Sequence, residues 1–434
     1  MLLIHFSAVF AIVPLPFCKF ERILYHSEIE TEVFPVKELS RIASAVQAST
    51  TLALDALYKE MKARGIDVIG FAAGEPDFPT PDYIKYAGIA GIVNDQTKYT
   101  PAVGTLELRR AICYRLREDM GLEYAPANIV VSSGAKHCLY VALRALINPG
   151  DEVIIPTPAW VTYTEMVKMV GGIPVTIPAT EAEQFKLTPE KLEAAINDNS
   201  KVLMLNNPSN PTGMLYSREE LEAIAAVCVK HDLYIISDEI YYGLLYDGRT
   251  FTSMAALGEE VRERTILING VSKSYAMTGW RIGYIAADQR ITSVIAKYLS
   301  HSTGNASAPA QAASMAAVYL PQDTVESMRR AFEERRNYMV ERMNSIPGVS
   351  CLKPEGAFYV MMNITKLLGK TLYGRVIRNA DDFADVFLEK GLVCVVPCTG
   401  FGDSNFVRWS YAASMKDITR GLDRLEKFLR EAGV

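Results

Sequence analysis

Between residues 128 and 272 the chain repeats short, unbroken apolar runs bounded by turn residues. They are N-I-V-V-S-S-G (128–134), D-E-V-I-I-P (151–156), G-I-P-V-T-I-P-A (172–179), K-V-L-M-L-N-N-P (201–208), L-Y-I-I-S-D-E (233–239) and T-I-L-I-N-G-V-S (265–272). Runs of this length without polar alternation predict strands buried on both faces, hence a mostly parallel sheet. Helical spacing fills the intervals, as in K-H-C-L-Y-V-A-L-R-A-L-I (136–147), around 163–170 and from Pro189 to Asn197. Upstream, residues 49–64 open on Ser/Thr, space their apolar positions helically and stop at Gly65. Strands alternating with helices make a doubly wound α/β domain, whose ligands bind where strands end and loops begin.

The last hundred residues change pattern. A long charged helix (325–346) precedes Pro347-Gly348 and four short strands, V-S-C-L-K-P, A-F-Y-V-M-M-N-I, G-L-V-C-V-V-P and F-V-R-W-S-Y-A. A final amphipathic helix carries Ile418, Leu422, Leu425 and Leu429 on one face. The expected organisation is an extension over 1–34, a segment over 35–74 packing with the small domain, a large domain over 75–325 and a smaller α+β domain over 326–434.

Composition narrows the partners. At 434 residues, with 49% hydrophobic and 22% charged, the chain is globular and long enough for two domains. A net charge of −5 without a Lys/Arg block argues against nucleic acid or an anionic membrane as partner. Seven scattered cysteines without C-x-x-C and five histidines without H-E-x-x-H give neither a disulfide framework nor a metal site. These features describe a reduced, cytoplasmic protein. Leu2 to Phe17 is apolar, but Pro14 and Pro16 interrupt it and no basic residue precedes it. The stretch reads as an extension or an upstream start, with a targeting peptide as the alternative.

Candidate chemistry collects at strand ends. Lys273, in V-S-K-S-Y-A-M-T-G-W-R-I-G-Y, sits among small and apolar residues with Arg281 eight positions on. A desolvated lysine is the side chain that forms Schiff bases with carbonyl compounds, and Ser272 and Arg281 suit a phosphate beside it. Asp238-Glu239-Ile240-Tyr241 closes one run, and N-N-P-S-N-P-T-G (206–213) closes another. Singly, these are a helix cap and a turn; together they converge on one ligand.

N-P-x-N-P-T-G, S-D-E-I-Y and S-K-x-x-x-M-T-G-W-R-I-G-Y resemble the signature of fold type I pyridoxal-phosphate aminotransferases, in particular the bacterial aspartate subgroup I-beta. The resemblance runs from about Leu39 to the C-terminus, with the motifs in family order. It implies the fold type I arrangement: a large domain of mostly parallel sheet covered by helices, and a smaller α+β domain. It also implies pyridoxal 5'-phosphate held covalently by Lys273, which then moves the substrate proton. Asp238 would pair with the pyridine nitrogen, and Asn210 and Tyr241 with the ring hydroxyl. Trp160 would stack on the ring. Gly134, Ala135, Lys136, Ser272 and Arg281 would form the phosphate cup, with Tyr99 reaching the phosphate of a neighbouring subunit in a homodimer.

For substrate, the resemblance assigns the α-carboxylate of an amino or 2-oxo acid to Arg408, with Gly74, Trp160 and Asn210 beside it. Lys136 would meet the distal carboxylate of aspartate, against the plain alternative of a solvated lysine at a helix start. A ping-pong transfer from L-aspartate to 2-oxoglutarate follows. Relatives that accept prephenate carry a basic residue near the place of Gln47, which disfavours that substrate here. Competing readings are a C–S lyase on the same cofactor, or an aminotransferase for aromatic substrates, alanine or prephenate. The effector domain of a regulator would need a basic N-terminal module, and a dehydrogenase would need a G-x-G-x-x-G helix start; both are missing.

Overall fold

Six apolar runs become strands of one seven-stranded sheet: β1 (Ile129–Ser132), β2 (Glu152–Thr157), β3 (Ile173–Pro178), β4 (Ser200–Asn206), β5 (Tyr234–Asp238) and β6 (Thr265–Gly270). The seventh, β7 (Gly283–Ala286), lies inside the segment read above only as a motif. The strand order is β1-β7-β6-β5-β4-β2-β3. All strands run parallel except β7, which is antiparallel to both neighbours. This computed structural model describes residues 37–48 and 50–434; the extension expected over 1–34 lies outside the described residues. From Arg41 to Val434 the chain forms one compact unit.

Both sheet faces are covered, as the unbroken apolar runs require. One face packs Ile236, Ile266, Ile268 and Ile285 against the helices Ala135–Leu146, Thr162–Met169 and Gln289–His301. The other packs Val131, Leu267 and Tyr284 under the helices Leu106–Met120 and Ala308–Tyr319. Each large apolar side chain enclosed this way contributes about 1.5–3 kcal/mol. The helices Asp82–Val93 and Ala308–Tyr319 are additions to the sequence reading. Neither shows a clean apolar stripe, because small residues on both let them approach closely; a Cβ on Gly91 would stand 3.1 Å from that of Ala312.

A second, antiparallel sheet holds β8 (Ser350–Cys351), β9 (Tyr359–Asn363), β10 (Val396–Pro397) and β11 (Phe406–Ser410) in the order β10-β11-β9-β8. The run G-L-V-C-V-V-P is divided: Val393–Cys394 pairs in parallel with Ile69–Gly70, and only Val396–Pro397 joins this sheet. The helices Asp323–Ser345 and Met415–Glu431 pack on it, the latter burying Ile418, Leu422, Leu425 and Leu429 as its spacing predicts. Arg408, in the middle of β11, is opposite Met361 and Val396. The six described cysteines are free thiols. Among the described residues no helix is long and apolar enough to cross a membrane, and no side-chain group could hold a metal ion.

Candidate active site

The carboxyl ends of β4, β5 and β6 open on a cavity of about 420 Å³. Parallel pairing places the strand ends side by side, so that Asn206 stands opposite Asp238 and Asp238 opposite Ile268. The chain continues past Gly270 to Ser272 and Lys273 on the cavity wall. Asp238 is 3% exposed. Its Oδ2 accepts from the Tyr163 hydroxyl at 2.7 Å, and its Oδ1 from the Ile240 amide at 3.3 Å. Burial pushes its carboxyl up to about 6 against the opposing pull of these donors and of Lys273.

Lys273 hydrogen-bonds the carbonyl of Gly74. The cavity leaves part of this side chain open to water, yet the surrounding protein desolvates the ammonium and brings it down to about 8. Glu75 opposes that fall, while Arg281 and Arg408 add to it. An amine held near neutral pH is available both as nucleophile and as proton carrier. In the cofactor-free protein, competitive acylation of Lys273 followed by peptide mass spectrometry is expected to show a midpoint near pH 8, with surface lysines titrating well above it.

The helix Ala135–Leu146 begins at the cavity with Gly134 as its N-cap at φ 89°. A side chain there would be strained by that backbone, and its Cβ would fall 2.3 Å from Nη2 of Arg281. The glycine therefore leaves a cradle of helix N-terminal amides beside a guanidinium, the arrangement that receives a phosphate. Ala135, Lys136, Ser272 and Arg281 all line it. The ammonium of Lys136 lies 4.8 Å from the centre of the Trp160 ring, which in turn meets Tyr163 edge-on at 5.5 Å. Partial desolvation, then Arg281, lowers Lys136 below the ordinary lysine range.

From the second sheet, β11 delivers Arg408, 2% exposed, to the same cavity. It donates from Nη1 to Asn210 Oδ1 and from Nη2 to the Ala72 carbonyl, both at 2.9 Å, and lies over the Tyr359 ring at 4.4 Å. Its buried Nε has no partner, and it forms no ion pair among the described residues. Asn210 in turn donates its amide to Asn206 Oδ1, and Asn206 Nδ2 donates to the Asp238 carbonyl. A continuous polar chain thus joins Arg408 to the end of β5. Tyr241 shares a 3.0 Å hydrogen bond with Tyr359, and burial first, then Tyr359, keeps its phenol well above the ordinary range.

Eleven residues singled out from the sequence line this one cavity: Gly74, Ala135, Lys136, Trp160, Asn210, Asp238, Tyr241, Ser272, Lys273, Arg281 and Arg408. Gly134 lies just behind it, and Tyr99 is not brought in; its side chain is 98% exposed. Tyr163 and Tyr359 were not foreseen, and Asn206 stood in the motif 206–213 without a role of its own. Tyr163 follows Trp160 by one helical turn, which is the only sequence signal it offers. Pyridoxal 5'-phosphate fits the residues present. A buried carboxyl that forms no ion pair among the described residues suits its ring nitrogen, a glycine-cleared cup suits its phosphate, and a desolvated lysine suits its aldehyde.

The family model described as "Aminotransferase class I and II" matches residues 66–425. A protein of Bacillus sp. (strain YM-2) named aspartate aminotransferase is 46% identical over 90% of this chain and 99% of its own length. One of Cereibacter sphaeroides named aspartate/prephenate aminotransferase is 44% identical over 90% of this chain and 98% of its own. Among solved structures, the aspartate aminotransferase of Rhizobium meliloti superposes with a TM-score of 0.88 at 39% identity, covering 91% of this chain and 99% of its own.

Proposed function

Because the chain belongs to the class I and II aminotransferases, we propose that it moves the amino group of L-aspartate, or a related amino acid, to 2-oxoglutarate by a ping-pong mechanism. The observation that carries this reading is a single cavity holding a desolvated lysine, a buried carboxyl and a buried guanidinium, the last two without an ion pair among the described residues. Pyridoxal 5'-phosphate, when bound, supplies an aldehyde and a ring that accepts electrons from the substrate's α-carbon. Lys273 would hold it, with Asp238 toward its ring nitrogen, Asn210 and Tyr241 toward its hydroxyl and Trp160 against its face. Gly134, Ala135, Lys136, Ser272 and Arg281 would hold its phosphate.

The protein's own groups then divide the work. Arg408, fixed by Asn210 and Ala72, keeps two directions for a carboxylate and orients the α-carbon toward Lys273. Lys273 takes the α-proton and returns it, a role its lowered affinity for protons suits. Tyr163 fixes Asp238 from one side, and Tyr359 sets both Tyr241 and the Arg408 plane. Lys136 meets the distal carboxylate of the substrate.

A homodimer completes the proposal, with Tyr99 reaching the partner's phosphate. Exposed Tyr86, Ile89, Ile92, Val93 and Tyr319 lie on the adjoining helices Asp82–Val93 and Ala308–Tyr319, an apolar face that a second copy would cover. A cytoplasmic location belongs to the same reading. Mixing the purified holoprotein with twenty amino acids singly, and following the absorption of the bound cofactor, tests it. Aspartate is expected to convert the spectrum fastest. An unchanged spectrum with every amino acid would overturn the reading, and pyruvate release from cystathionine would favour the lyase.

A further inference from the structure

One buried acid is left without a task. Glu239, next to Asp238, is 0% exposed and forms no ion pair among the described residues. Alternation along the strand end sends it to the sheet face opposite the cavity. Its amide donates to the Ile268 carbonyl, and the parallel pairing of Asp238 with Ile268 sets Glu239 beside Asn269. Asn269 in turn stands opposite Tyr284 on β7. Glu239, one residue past the end of β5, Asn269 on β6 and Tyr284 on β7 therefore form a polar row on that face of the sheet.

The hydrogen bonding of this row is lopsided. Oε1 of Glu239 accepts from Ser237 Oγ at 2.9 Å, Ser253 Oγ at 2.8 Å and the Met254 amide at 3.2 Å. Oε2 is buried with no partner, as are Asn269 Nδ2 and the Tyr124 hydroxyl. An ionised carboxyl normally gathers donors or a cation on both oxygens when it is buried. Here one oxygen takes every donor, which pulls toward the ionised form, while the other is enclosed with neither a donor nor a cation to hold a charge. Ser253, meanwhile, caps the turn Met254–Ala256, so the same carboxyl ties the end of β5 to that turn.

We propose that Glu239 is a positioning residue for Asp238: an acid that anchors the end of β5 from behind and, below neutral pH, does so without setting a second negative charge beneath the site. The inference rests on Asp238 being the acid that faces the cofactor. Burial supports it by pushing Glu239 up to about 7 against the pull of the Ser237, Ser253 and Met254 donors, with the neighbouring charge of Asp238 adding a smaller push. The titratable groups that feel Glu239 are Asp238 beside it in the chain, Tyr284 on β7 and Tyr124, the last flanked by Arg262 and Glu259.

Stability supplies a readout independent of turnover. An acid whose folded affinity for protons exceeds its unfolded one stabilises fully below its unfolded pKa, and that stability is lost as pH rises through the folded value. For Glu239 the loss falls between the ordinary glutamate range and about 7. Glu239→Gln, an uncharged isostere, is therefore expected to keep kcat within about three-fold. Its holoenzyme should also have a higher Tm than wild type at pH 8, the two converging at pH 5. Glu239→Leu should lower kcat at least ~10-fold with KM little changed, as loss of one aligned hydrogen-bonding group does. Ser253→Ala, which removes a single donor, should fall between them if the leucine variant does not fold. A ten-fold loss in Glu239→Gln, or no gain in its Tm at pH 8, would overturn the proposal by showing a working anion. Wild-type kcat in both Glu239→Leu and Ser253→Ala overturns positioning alone, provided Asp238→Asn, run alongside, is impaired. Full turnover in Asp238→Asn would overturn the assignment of Asp238 and this inference with it.

Discussion

Replacing Lys273 by alanine is expected to lower turnover by more than about 10²–10⁴-fold, the usual contribution of positioned acid–base catalysis alone. The covalent hold on the cofactor disappears with the same amine, so the loss should exceed that range. Binding should persist through the phosphate cup and Asp238, which do not depend on Lys273 for their placement. The measurements are single-turnover kinetics of Lys273→Ala and borohydride reduction of the wild-type holoprotein, followed by peptide mapping. Reduction should leave the cofactor as a stable amine on Lys273. A label on Lys136 or Lys59, the other lysines lining the cavity, would move the site assignment.

The legible part of this molecule is the part whose signal is local. Unbroken apolar runs show where the strands lie because each strand carries its own burial pattern, as in the six buried residues of Thr265–Gly270. That Lys273, Asp238 and Asn210 would meet at one cavity was readable because all three follow strand ends, and strand ends are marked by turn residues. β7 was not, because four residues after a charged turn make too short a run to be separated from it. The helices Asp82–Val93 and Ala308–Tyr319 were hidden for another reason: helices that pack through Gly and Ala show little contrast between faces.

The hydrogen bonds that set the site are long-range and leave no trace in spacing. Tyr163 reaches Asp238 across 75 residues, and Arg408 reaches Asn210 across 198. Glu239 was visible in S-D-E-I-Y, yet only the register of β5 against β6 shows that it faces away from the site. The side of the sheet on which an acid lies decides its task, and a run of letters does not state it.

Specificity yields the second large effect, and it requires two variants read together. A dicarboxylic substrate needs a cation at each end, and Arg408, buried between Asn210, Ala72 and the Tyr359 ring, can serve only one. Arg408→Lys keeps the charge but loses the planar fork, so aspartate and alanine should lose kcat/KM together. Lys136 stands at the other side, over Trp160, where it already feels partial desolvation and the repulsion of Arg281. A distal carboxylate would relieve both. Removing one partner of such an enclosed charge pair costs about 2–5 kcal/mol, or roughly 30- to several-thousand-fold in kcat/KM. Lys136→Ala should therefore lower kcat/KM for aspartate by that factor and leave alanine, which has no distal carboxylate, nearly unchanged. The aspartate-to-alanine ratio is the quantity to measure, because damage to the phosphate cup cancels in it. If the ratio does not move, Lys136 serves the cofactor alone, and the aspartate preference must be built by other residues of the same cavity, of which Lys59 is the remaining unassigned cation.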